Sequence, residues 1–387
     1  MLVINLFSWL GGGEYSVLNL LKNLRPDHVR AVAMFNMGGP LVDELERAGI
    51  ETVIFPYVVA QPRTLLLPAN IVRNIRAAFA LKRLAREREI DVIQCSDVFT
   101  LLLLIPTLAA LRTPVVYSII VFYSRLRCWL FNLLALAFVS RIVANSLRVR
   151  EDLLNKTAGL GTMTSVAYNG VDPLLFYPRS AADRVSIRER LSLPVDKCLI
   201  GLIGRFEVWK GHRSFVDAAR ILSQQRPDLR FVFIGGAITE RVAPHVARYR
   251  DSVIAQIGGA GLADQVIMLG HRDDVPELMA ALDVCVCPSD EEPYGMVVPE
   301  AVASGIPVVA SRTVGALEVV RDLPGVFIAE PRNPESLAGK IAEAIDFSRG
   351  TGAAPHSAVD QLPAGRFRWQ EYAGEFEKLY DLALAGR

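Results

Sequence analysis

Histidine and cysteine are scarce in this chain, with five of each among 387 residues. Cys285 and Cys287 stand closest together, inside an apolar run. Neither they nor the other three supply a disulfide framework or a zinc-ligand spacing, so a reducing cytoplasm is expected. No apolar run reaches the ~20 residues of a membrane-spanning helix. Val98–Leu111 contains Pro106, and Trp129–Ala144 contains Asn132 and Arg141, so both are expected to be core or interfacial helices. The opening MLVINLF reads as a strand and lacks the basic and then apolar order of a secretory leader. A formal net charge of +1 gives no general reason to expect nucleic acid as a partner. Acidic residues are missing altogether between Asp97 and Glu151, a stretch that holds Arg112, Arg125, Arg127, Arg141, Arg148 and Arg150.

What is abundant is apolar sequence, 51% of the chain against 21% charged. At roughly 150 residues per domain this is material for two or three domains with large cores. Short apolar runs alternate with helical patterns from end to end, the rhythm of parallel sheets built from βα units. The first 180 residues carry 19 Lys and Arg against 13 Asp and Glu, and the remainder 23 against 28, so the halves differ in sign. The polar, proline-containing stretch from Pro178 to about Lys197 reads as the connection between them, with a short helix inside it.

The densest chemistry lies in CVCPSDEEPYGMVVPEAVASGIPVVAS, Cys285 to Ser311. VCVCP is a strand buried on both faces, SDEEPYG a polar loop, Met296 to about Ser304 a helix, and VVA a second strand. The loop therefore opens at the carboxyl end of a parallel sheet, where open α/β folds bind their ligands. It carries Glu292, and Glu300 is expected about two turns into the helix on the same face. The free backbone N–H groups of the helix start, around Tyr294, Gly295, Met296 and Val297, suit an anion. Two carboxylates beside such a terminus suit a ligand bearing both phosphates and hydroxyls, as a nucleotide sugar does.

Glu292-Pro-Tyr-Gly-Met-Val-Val-Pro-Glu300-Ala-Val-Ala-Ser-Gly-Ile-Pro resembles the Glu-x7-Glu signature of the retaining glycosyltransferases of family 4, enzymes of the GT-B fold. Gly204-Arg205 with Lys210-Gly211, after the apolar strand Cys198–Ile203, resembles the family element whose arginine and lysine hold the donor diphosphate. Two cations about five residues apart on a loop leaving a strand can grip two phosphates and offset the charge that builds on the leaving group. Gly11-Gly12-Gly13 resembles the family's first-strand loop, with Gly12 and Gly13 facing the donor, and Val166 to Asp172 resembles its Asn-Gly-Val-Asp segment. One departure is evident. The strand PVVYSIIV ends in Ile120, where the family usually has a histidine beside the donor sugar.

The resemblance implies two doubly wound Rossmann-like domains facing across a cleft: 1–180 on the acceptor side, 181–365 holding the nucleotide sugar, and a terminal helix in 366–387 returning to the first domain. It implies sugar transfer from a UDP-sugar or GDP-sugar to an acceptor hydroxyl, with the anomeric configuration retained. The leaving phosphate is thought to take the acceptor proton, Glu292 to orient the donor sugar, Glu300 to hold the ribose, and Arg205 with Lys210 to stabilise the diphosphate. The nucleotide sugar is a co-substrate, and no cofactor is expected. No metal is expected either, since the chain has no Asp-x-Asp pair of the kind that anchors a bridging cation in the other major glycosyltransferase fold. Two alternatives stand beside this reading: an isomerase of the sugar-nucleotide 2-epimerase type, and a donor-binding subunit with weakened catalysis, which Ile120 suggests. The acid-free arginine stretch, with Trp129, Leu130 and Phe131, is expected to touch an anionic inner membrane surface, and the acceptor to be a glycan or lipid-linked sugar of a bacterial surface polymer or lipopolysaccharide.

Overall fold

Runs such as LVIN, VVYSI and LRFVFI have almost no polar residue to turn toward water, so they are stable only with helices over both faces. The computed structural model meets that demand twice. It describes residues 1–5, 8–9, 11–55, 68–236, 244–350 and 367–386. Met1–Gly170 with Arg368–Arg387 forms one unit, and Val171–Phe367 forms another.

The first unit holds β1 (Leu2–Asn5), α1 (Gly12–Asn23), β2 (Val32–Phe35), α2 (Pro40–Arg47), β3 (Glu51–Ile54), α3 (Pro68–Glu87), β4 (Ile93–Cys95), α4 (Val98–Leu111), β5 (Val115–Ile119), α5 (Arg125–Phe138), β6 (Arg141–Ala144), α6 (Leu147–Lys156) and β7 (Thr164–Val166). The seven strands run in the order β3-β2-β1-β4-β5-β6-β7, all parallel. Leu2 pairs with Val32 on one side and Ile93 on the other, so the order reverses at β1. Tyr117 and Phe131, ring centroids 4.5 Å apart, anchor the core beneath α5. Asp97 starts α4 by accepting from the backbone N–H of Phe99 and Thr100 at 2.9 and 3.1 Å, and Ser124 starts α5 in the same way through Arg127.

The second unit holds α7 (Ala181–Arg190), β8 (Cys198–Ile203), α8 (His212–Ser223), β9 (Leu229–Ile234), α9 (Pro244–Gly259), β10 (Val266–Gly270), α10 (Val275–Ala281), β11 (Val284–Cys287), α11 (Val297–Ala303), β12 (Val308–Ser311), α12 (Leu317–Val320), β13 (Val326–Ala329) and α13 (Pro334–Gly350). Its sheet runs β10-β9-β8-β11-β12-β13, again parallel and again reversing beside its first strand. This is the strand order of dinucleotide-binding folds, whose ligand crevice lies outside the carboxyl ends of the two strands at the reversal. Arg184 and Arg188 both bind Asp283 just before β11, at 2.9 and 2.8 Å, and fix α7 to the unit it introduces.

The chain closes with α14 (Trp369–Ala385), which belongs to the first unit. Glu377, 4% exposed, accepts from the backbone N–H and the guanidinium of Arg25, each at 2.7 Å, and the Tyr380 hydroxyl donates to Gln94 of β4. A buried carboxylate needs such partners, and they tie the helix down.

Four local expectations change. Gly12 and Gly13 are the first residues of α1 and lie inside the helix, because first-turn N–H groups need no carbonyl partner and glycine costs little there. Glu300 stands in the first turn of α11 and not two turns in, because it lies only three residues after Val297, where the helix begins close to its expected start. Phe131 is fully buried beside Tyr117, while Trp129 is exposed. The surface loop expected over Ser348–Pro363 begins later, because α13 continues to Gly350; residues 351–366 lie outside the described residues.

Candidate functional site

The reversal in the second unit falls between β8 and β11, so the two loops that leave these strands are neighbours. Their closeness depends on glycine. Gly211 has φ +75°, and a Cβ there would strike the carbonyl oxygen of Pro288. The Asp290 N–H donates to the Trp209 carbonyl at 2.7 Å, stitching one loop to the other. A third segment, the turn after β12, holds the far side: Gly315 N–H donates to the Glu292 carbonyl at 3.1 Å and Ala316 N–H to the Tyr294 carbonyl at 2.7 Å. Gly295 has φ +89°, and a Cβ would stand 2.8 Å from Val314 Cγ1 and 2.9 Å from Glu292 Cγ.

These loops bring the predicted charges together. Lys210 Nζ lies 2.6 Å from Glu292 Oε2, and Ser289 Oγ donates to the same oxygen at 3.0 Å. The ammonium also lies 4.4 Å from the centroid of the Trp209 ring. Glu292 is 6% exposed, so the pair is largely desolvated, and removing either partner strands a charge at a cost of about 3–5 kcal/mol. Arg205, next to Gly204 at the end of β8, is exposed and forms no ion pair among the described residues. The site thus holds one cation locked to a carboxylate and one free to meet an anion.

Glu300 sits beside them at the start of α11, and burial pushes its carboxyl up to about 7, against the pull of the Lys210 charge. Near neutral pH it is close to half protonated and can both donate and accept. Tyr294 and Val297 are buried, Met296 is half-buried, and with Gly295 they form the turn into α11. That helix has only seven residues, so its dipole is a weak attractant and the side-chain cations carry most of the site's positive charge. His212 follows Gly211 but stacks on Phe206 with centroids 4.3 Å apart, and burial pushes it down to about 3, which keeps it neutral. It is a packing residue. Ser289 and Trp209 escaped the sequence reading, although Trp209 adjoins Lys210 and Ser289 lies three residues before Glu292 in the same loop.

Gly12, Gly13 and Ile120 belong to the first unit. A Cβ on Gly13 would lie 2.5 Å from Ile120 Cδ1, so the isoleucine occupies the space beside the glycine. Both line a cavity of about 210 Å³ at the ends of β1, β4 and β5, with Asn5, Asp97, Tyr123 and Arg127. It sits at this unit's own strand reversal. Burial raises the Asp97 carboxyl above its ordinary range, against the backbone N–H groups of Thr100 and Phe99 and the Arg127 charge. No histidine lines it. Among the described residues, no three of His, Cys, Asp and Glu are grouped so as to hold a metal ion, and no helix is long and apolar enough to cross a membrane.

The family described as Glycosyltransferase Family 4 matches residues 10–174, and that described as Glycosyl transferases group 1 matches residues 183–349. Each half of the chain thus resembles one domain of a glycosyltransferase. The crystal structure of HepE from Anabaena with UDP and glucose superposes with a TM-score of 0.82 at 25% identity, covering 98% of each chain. The D-inositol 3-phosphate glycosyltransferase of Thermobispora bispora is 29% identical over 248 residues, which is 63% of this chain and 56% of that one. The lipopolysaccharide core biosynthesis mannosyltransferase LpsB of Rhizobium meliloti is 33% identical over 167 residues, 42% of this chain and 46% of that one. The match thus spans about half the length of these two curated relatives. The fold of this chain is GT-B, two parallel-sheet Rossmann-like units of seven and six strands.

Proposed function

We propose that this chain is a glycosyltransferase that moves a hexosyl group from a nucleoside diphosphate sugar to an acceptor hydroxyl with retention at the anomeric carbon. The acceptor is a glycan or glycolipid of a bacterial surface polymer, reached at the inner face of the cell membrane. The observation that carries the reading is the Lys210–Glu292 pair at 2.6 Å, with unpaired Arg205 on the same loop as the lysine. A diphosphate entering at the strand reversal meets Arg205 directly and Lys210 from the side opposite its carboxylate. UDP and UDP-glucose bound to HepE support a uridine nucleotide, and the lipopolysaccharide role in the name of LpsB supports the acceptor class.

In the step, the bond from the anomeric carbon to the diphosphate oxygen breaks and its electron pair stays on the phosphate. The acceptor oxygen bonds to the anomeric carbon on the same face, and its proton passes to a phosphate oxygen. Arg205 and Lys210 stabilise the charge gathered on the leaving group, the kind of contribution worth about a hundredfold or more in rate. Glu292 orients sugar hydroxyls while fixing Lys210. Glu300, with its carboxyl near 7, binds the ribose hydroxyls. No divalent cation enters this scheme.

The test has two stages. UDP-sugars and GDP-sugars are screened for a rise in the unfolding midpoint, which a ligand of the folded state must produce. The active donor is then followed by NMR, with retention of the anomeric configuration expected in the product. An inverted product overturns the mechanism, and a donor that binds without turnover in any acceptor mixture favours the donor-binding subunit that Ile120 suggests.

A further inference from the structure

Helix α5 is apolar on both sides. Cys128, Phe131 and Ala135 are fully buried on one face. Leu126, Trp129, Leu133 and Leu136 recur at intervals of three and four on the other, and are exposed by 76, 61, 51 and 58%. A helix on the surface of a soluble domain ordinarily turns charged and polar side chains outward on that face. On the helix itself the only charges are positive, and the acids nearest in sequence, Glu151 and Asp152, stand on the neighbouring α6, where Asp152 is paired with Lys156. Arg125 stands at the edge of the stripe and Arg127 on the helix's other flank; both are exposed, as is Arg112 at the end of α4. None of the three forms an ion pair among the described residues, and no acidic residue occurs between Asp97 and Glu151.

We propose that this face of α5 docks on an anionic lipid bilayer. A helix that carries a tryptophan and leucine stripe, arginines and no acid of its own has the composition of one lying in the interfacial plane. A second copy of the chain is a poor occupant, since a two-fold contact through α5 would bring the same unneutralised arginines toward each other. The position of the stripe adds a consequence. Arg127 and Val121 line the first unit's cavity, while Leu126, on the same helical turn as Arg127, belongs to the outer stripe. Docking through α5 therefore sets the rim of the cavity at the level of the lipid headgroups. The ligand class that fits is an amphiphile whose polyhydroxylated head enters beside Asp97 and Asn5 while its tail remains in the bilayer. This assignment of the ligand rests on the transfer reading; the bilayer contact does not.

Co-sedimentation with phosphatidylglycerol vesicles and with phosphatidylcholine vesicles, each at low and high salt, tests the surface. The full chain is expected to bind phosphatidylglycerol at least tenfold better than phosphatidylcholine at low salt, to lose most of that preference at high salt, and to shift its tryptophan emission to the blue on binding. Leu126→Glu with Leu133→Glu is expected to reduce binding at least tenfold while keeping the native circular dichroism and the thermal shift given by UDP or GDP. Should that pair not fold, Arg125→Glu alone is expected to reduce binding at low salt several-fold. Absent binding, equal binding to both lipids, or binding untouched by these substitutions overturns the proposal. A dimer in sedimentation equilibrium that the substitutions dissolve overturns it in favour of a second copy. Vesicle binding without any nucleotide response leaves the surface standing and removes the transfer reading instead.

Discussion

Replacing Glu300 by glutamine tests whether the site keeps a carboxyl at the expense of stability. Its carboxyl rises from an ordinary 4.5 to about 7 through burial. Between those values the native state holds a proton that the unfolded chain has released, so stability falls as pH rises through this window and the full penalty applies above it. At about 1.4 kcal/mol per pH unit the penalty is at most ~3 kcal/mol, less to the extent that the half-buried side chain reaches water. Glutamine keeps the shape and removes the ionisation. For a unit of this size a kcal/mol moves the midpoint by about 2–4 °C. Glu300→Gln is therefore expected to raise the midpoint by about 4–10 °C at pH 8 and to change it little at pH 4.5, as followed by circular dichroism in the absence of nucleotide. The same variant is expected to bind nucleotide sugar more weakly, having lost an acceptor for the ribose hydroxyls. A stability change that is the same at both pH values refutes the assignment of a raised carboxyl, and a gain confined to the acid side reverses its sign.

Gly295→Ala forces a residue with a Cβ into φ +89° and places that carbon 2.8 Å from Val314 Cγ1. It is expected to cost about 2–4 kcal/mol in urea unfolding, and a cost below ~1 kcal/mol would mean that the loop is not held as described. Turnover is expected to survive EDTA, because side chains neutralise the diphosphate; activity lost on chelation and restored by magnesium or manganese contradicts this. The native enzyme, with Ile120 where the family usually has histidine, is expected to transfer sugar. Ile120→His protein that is active while the native chain transfers nothing from any donor would transfer the argument to a weakened subunit.

The fold was legible because its information is local. Runs such as Cys198–Ile203 and Val284–Cys287 are apolar on both faces, and only a helix-covered parallel sheet accommodates a succession of them. The site was legible as a set of residues but not as an arrangement. Lys210 and Glu292 are 82 residues apart, and their ion pair depends on β8 lying beside β11, an order that periodicity does not encode. Trp209 went unnoticed for the same reason, since its carbonyl accepts from Asp290 on the other loop, whereas Ser289 reaches Glu292 within its own loop. A helix start was misplaced where glycine was read as a turn, at Gly12 and Gly13, whereas the helix of Glu300 starts within a residue of its expected place and only the depth of Glu300 in it was overstated. The α5 region shows the limit from the other side. Composition suggested a basic, apolar surface, but which of Trp129 and Phe131 faces outward depends on the helix phase against Tyr117, and only packing sets that.

The central claim is that two cations on the loop after β8 stabilise a departing diphosphate. Release of nucleoside diphosphate from the donor that raises the midpoint, compared among native, Arg205→Ala and Lys210→Ala protein, tests it directly. Each substitution is expected to lower turnover by about a hundredfold or more with the native circular dichroism retained. Lys210→Ala alone is also expected to lose about 3 kcal/mol of stability, because it leaves Glu292 buried without its partner. Native turnover in either variant would contradict the claim.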